Sequence, residues 1–189
     1  DERTVPGWLR VVVLSLSAAL VIVSFVVLLR DGRLPASVPA DAPECALADF
    51  MVALQHVDSR GLVEVPALQK DREALDRFIA SMAKTSPLST PERFPNVEDR
   101  IAFWLNAAHA LVLQQLLDAP DATSAAQLST FQTWPIGGQR LTRAAIERRF
   151  LSATGDGRVW LALFDGDASG PLLDSAPFGG DTLNPQRSE

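Results

Sequence analysis

Arg100 to Leu113 reads RIAFWLNAAHALVL, and the fold is decided by how this stretch is read. From Ile101 onward, Trp104, Leu105, Ala108, Leu111, Val112 and Leu116 recur at the helical period and trace one broad apolar face. Asn96 is placed to cap the helix and Asp99 to set an acid in its first turn, while Pro120 ends it. Upstream, 44–57 carries Leu47, Phe50, Met51 and Leu54 at helical spacing. A second helix is expected over 68–82, from Leu68, Leu75, Phe78, Ile79 and Met82. Downstream, Gly137-Gly138 sits between Trp134-Pro135-Ile136 and Gln139-Arg140-Leu141, which suits a short hairpin. Thr142 then caps a helix through Phe150, and Arg158 to Phe164 reads as a buried strand bounded by glycines. After Phe164 the chain is turn-rich and irregular. The expected class is α+β: a helix-dominated single domain with a short hairpin and a buried strand, preceded by one transmembrane helix.

That last element comes from Val11 to Leu29, an apolar run with three serines, flanked by Arg10 and Arg30. Its length matches a hydrocarbon core of roughly 30 Å at about 1.5 Å per residue, and exceeds the usual signal-peptide core of about 7 to 15 residues. The expected organisation is a short tail over 1–10, a span over 11–30, a tether over 31–43 stiffened by Pro35, Pro39 and Pro43, and a domain over 44–189. Arg3 and Arg10 before the run balance Arg30 and Arg33 after it, so charge leaves the orientation open. Beyond Arg33, 13 Lys or Arg stand against 20 Asp or Glu, which argues against nucleic acid or anionic lipid as a partner of the domain. Cys45 is the only cysteine, so no intrachain disulfide exists.

Chemistry is sparse. Asn106 and His109 lie three apart, on one face of the central helix, where an imidazole beside an amide is able to orient a proton transfer. The plainer reading is a histidine satisfied by hydrogen bonds within the fold. His56, next to Asp58 at a helix end, reads as a C-terminal cation or a surface residue. Asp165, Asp167 and Asp174 lack the spacing and terminal glutamate of an EF-hand. Two histidines and one cysteine supply no zinc cluster, and neither a phosphate-cradling glycine loop nor a haem or iron-sulfur pattern occurs. No cofactor and no metal are expected.

Three blocks carry a family resemblance: Arg100 to Leu113, then AAIERRFL at 144–151, then GRVWLALFDGDASGPLL at 157–173. Together they resemble the DUF547 domain, whose corresponding blocks read roughly AFWINAYNALVL, DIEH, DPRVHFAL and a Ser-Cys-Pro-Pro-Leu turn. The resemblance runs from about Gly61 to Leu183 and places the family's cysteine, a natural nucleophile, at Gly170 in Ser169-Gly170-Pro171. It places the family's histidine at Arg148, and its Tyr-Asn pair at Ala108-His109, with Asn106 and Glu147 retained. Glycine has no nucleophile, and an arginine stays protonated and is no general base. The resemblance implies a degenerate, C-terminally shortened relative, and the family's usual location favours a cytoplasmic N-terminus with the domain in the periplasm.

Taken together, these features lead to an expected non-catalytic, membrane-anchored accessory or structural subunit of a larger membrane complex, respiratory or photosynthetic, in a bacterial inner membrane. Expected partners are the membrane and other integral membrane subunits, with no nucleic acid and no small-molecule ligand. Trp8, Ser15, Ser17, Ser24, Phe131, Trp134 and Trp160 are candidate contact groups. Two alternatives stay open: a hydrolase-like enzyme using His109, Asn106 and Glu147, or a sensor whose pocket is lined by Arg148 or Arg149.

Overall fold

The computed structural model describes residues 7–30, 34–36, 40, 42–43, 47–119, 131–166 and 170–180, with the side chains of 7–11, 28–30 and 34–35 outside that description. Cys45, Asp167, Ser169 and the Trp8 side chain therefore lie outside the described residues.

Helix α5, Val97–Asp118, is the axis of the fold. Every residue from Ile101 to Leu113 is buried, so the helix is enclosed on all sides rather than along one face. Helix α2, Leu47–Leu54, packs on α4, Arg72–Ser81, where Phe50 and Phe78 stack with centroids 4.7 Å apart. Between them the short helix α3, Val65–Leu68, begins with Pro66 in its first turn, where a missing N–H costs nothing. An aromatic ladder crosses the other side of α5: Phe94 meets Phe103, Phe103 meets Trp104, and Trp104 stacks on Phe150 at 4.0 Å. Phe150 belongs to a π-helical turn, Glu147–Leu151, that follows helix α6, Arg143–Ile146. Thr142 caps α6 as expected, its side chain accepting from the Ala145 N–H.

The hairpin forms as read. Strands β2, Trp134–Ile136, and β3, Gln139–Leu141, are joined through Gly137 (φ 53°) and Gly138 (φ 77°), both in the left-handed region a tight primed turn requires. A third strand was not foreseen: β1, Leu34–Pro35, pairs antiparallel with β3, so part of the expected tether lies against the domain. The strand order is β1-β3-β2, and the prolines of both outer strands sit where a missing ladder donor is tolerated. Trp134, read as a candidate contact, is instead a core residue, its Nε1 donating to Gln114 Oε1 at 2.7 Å. From there a polar chain runs outward through Asp76 and Arg72 to Asp118.

Two expectations are corrected. Arg158 to Phe164 is not a buried strand: Arg158–Ala162 forms helix α7, burying Val159 and Leu163 one turn apart and leaving Trp160 and Leu161 exposed. Asp156 starts it by accepting the Arg158 N–H and side chain, which holds the Asp156 carboxyl down at about 2. Second, helix α1, Gly7–Arg30, forms, but among the described residues no helix is long and apolar enough to cross a membrane. The transmembrane helix, the single-pass topology and the inner-membrane location expected from the sequence therefore do not stand.

The glycines of the hairpin are not equivalent. A Cβ at Gly137 would collide with Ser86 Oγ and lie 2.7 Å from Leu88 Cβ, whereas one at Gly138 meets nothing within 4 Å. Gly137→Ala is predicted to lower unfolding stability by about 3 kcal/mol, backbone strain plus overpacking, and Gly138→Ala by only about 1 kcal/mol. Urea denaturation of the two variants checks the difference, and equal losses would remove the packing part of the argument.

Candidate functional site

Helix α5 carries one asparagine and one histidine among its buried residues, Asn106 and His109. Because α5 is enclosed, each polar side chain on it must find a partner inside the fold. Asn106 does so with both ends of its amide: Nδ2 donates to the Phe178 carbonyl at 2.9 Å, and Oδ1 accepts the Phe178 N–H at 2.9 Å. One turn along, His109 Nε2 lies 3.0 Å from the Ala162 carbonyl and 3.1 Å from the Phe164 nitrogen. A single nitrogen serves either one as donor or the other as acceptor, and in both tautomers it holds the turn that follows α7. Phe164 stands edge-on to the imidazole and Phe178 tilts against it at 5.7 Å. Burial holds the His109 ring neutral, its pKa pushed down to about 4.

Asn106 and His109 thus adjoin, as their spacing requires, but Glu147 does not join them. It is half-buried on the π-helical turn, 3.7 Å from Arg143, and burial raises its pKa with Asp165 adding to the effect. Arg148 is exposed and donates through Nε to the Ala144 carbonyl. Gly170 faces Asp165: a Cβ there would stand 2.6 Å from Asp165 Oδ1, so the carboxylate takes the space a side chain at 170 would enter. Arg143 fixes that strand of chain by donating to the Asp165 carbonyl at 3.2 Å. The residues the sequence did not single out for the site are Ala162, Phe164 and Phe178. All three act through main chain, which carries no residue-type signal.

A cleft of about 250 Å³ opens beside Asn106, walled by Phe78, Phe94, Phe103 and Phe178, with Arg93 and Asp99 at its polar side. His109 and Glu147 are not among its lining residues. Among the described residues no group of three His, Cys, Asp or Glu is disposed to hold a metal. What the arrangement does is mechanical: two side chains one turn apart fasten the chain at 162–164 and at 178 to the central helix.

Removing the amide leaves the Phe178 N–H and carbonyl without their partner, so Asn106→Ala is predicted to cost about 2–4 kcal/mol and to speed hydrogen exchange at the Phe178 amide. Unchanged exchange at that amide would refute the clamp. His109 gives a pH signature. Its folded pKa lies below the unfolded value of 6.5, so between about pH 6.5 and 4 the unfolded chain binds more protons, and stability falls as pH is lowered. The slope attributable to this group is at most about 1.4 kcal/mol per pH unit, and it is predicted to be absent from His109→Gln and to appear in the difference between wild type and that variant in pH-dependent urea melts. Comparison with protein-family models, with curated proteins and with solved structures finds no match for this chain.

Proposed function

We propose that this chain is a non-catalytic accessory or structural subunit of a larger protein assembly. The observation that carries the reading is α1. From Val12 to Val27 it bears no charged residue, and its large side chains stand exposed in every direction. The domain beside it has already closed a core of its own around α5. An all-round apolar helix is stable when something surrounds it, and among the described residues the chain does not. The site agrees with a structural role. Asn106 and His109 are spent on main chain, and the positions where a DUF547-like domain would carry a thiol and an imidazole hold Gly170 and Arg148.

The reading is tested by isolating the tagged full chain from its source in mild detergent and weighing what co-migrates. A stoichiometric partner is expected. Leu16→Lys with Leu20→Lys should cut its recovery at least tenfold, because a buried unpaired charge costs several kcal/mol, while the melting of the domain stays unchanged. A solitary chain in the wild-type preparation would overturn the proposal.

A further inference from the structure

We infer that the cleft beside α5 binds a small primary amine that carries an aromatic group, a site independent of the accessory-subunit role. Phe78 and Phe103 are buried in its wall, whereas Phe94 and Phe178 are only half-buried, so apolar ring surface stays open there. Its volume of about 250 Å³ lies below the roughly 300–1,000 Å³ of sites for drug-sized ligands, which limits the occupant to one ring and a short chain. The group that selects the class is Asp99. Asn96 Nδ2 donates to its Oδ2 at 3.1 Å, while its Oδ1 accepts no hydrogen bond among the described residues. That oxygen faces Gly180, where a Cβ would collide with it, so the missing side chain at 180 leaves it approachable. A carboxylate oxygen without a donor attracts a charged N–H, and an ammonium held near aromatic faces gains from their negative quadrupole as well. Arg93 lines the same cleft and repels a second positive group, so one ammonium fits and a polyamine does not. An anion is disfavoured, because the positive end of α5 is already matched by Glu98 and Asp99 of its own first turn. The chain's net charge of -6 adds a weak pull on cations.

The test titrates the full, isotopically labelled chain with phenethylamine and follows the amide signals of Phe178 and Gly180. Saturable shifts are expected, with a Kd of about 1 mM for so few atoms. Asp99→Asn, which keeps the shape and removes the charge, is expected to weaken binding about fivefold, and Gly180→Ala, which keeps the charge and obstructs the oxygen, at least as much. Hydrocinnamate, of similar size and opposite charge, is expected to leave the signals in place. Thermal melts establish that each variant is folded, and either variant alone suffices for the comparison. No saturable shift up to about 20 mM amine, equal shifts with hydrocinnamate, or wild-type affinity in a folded variant would each overturn the inference.

Discussion

Burial of α5 on every side is the constraint to which the rest of the molecule answers. An enclosed helix has no solvent-facing stripe, so the elements around it must supply both apolar cover and partners for whatever polar atoms it carries. Cover comes from α2 and α4 on one side and from the aromatic ladder ending at Phe150 on another. Partners come from chain that has no regular structure. Asn106 takes the main chain of Phe178, and His109 takes the turn at 162–164. These contacts span 72 and 55 residues of sequence, so two side chains of one helical turn close long loops of the domain. The same demand explains the low pKa of His109, since a charge there would have neither solvent nor a counter-ion.

How far the sequence discloses this depends on the range of the interactions. The hairpin was legible because two glycines at positive φ are a local requirement, and the Thr142 cap because a hydroxyl before an apolar run acts on its own helix. The central helix was legible in extent but not in environment: its apolar positions define one face, and Ala107 and Ala110, on the other, gave no sign that they too are buried. Arg158 to Phe164 misled because a composition of Val, Trp, Leu and Phe favours a strand, whereas Asp156 and Gly157 before it start a turn of helix. What made the helix win is tertiary. The end of the segment is bonded by His109 rather than by a neighbouring strand.

The candidate site divides along the same line. That Asn106 and His109 adjoin follows from spacing alone, and that Glu147 stands apart does not, because α6 and the π-helical turn set its direction from elsewhere. Gly170 was read as a missing nucleophile. The space its side chain would need is taken by Asp165, five residues earlier and close only through the fold of the intervening loop. A thiol at that position would have to displace a carboxylate.

Two helices among the described residues hold long uncharged stretches, Val12 to Val27 of α1 and Ile101 to Leu113 of α5, and their different fates bear on function. One, α5, carries Asn106 and His109 among its buried residues, and the domain folds over it and bonds both. The other, α1, carries three hydroxyls and no charge from Val12 to Val27, and its side chains there stay exposed. Hydrophobic burial is worth roughly 25 cal/mol per Å² whichever molecule supplies the cover. A helix that keeps its apolar surface exposed after the domain has closed is therefore the surface on which the proposed association would draw. Its location outside the core makes that association independent of the clamp at Asn106 and His109, so loss of the helix and loss of the clamp are separable in experiment.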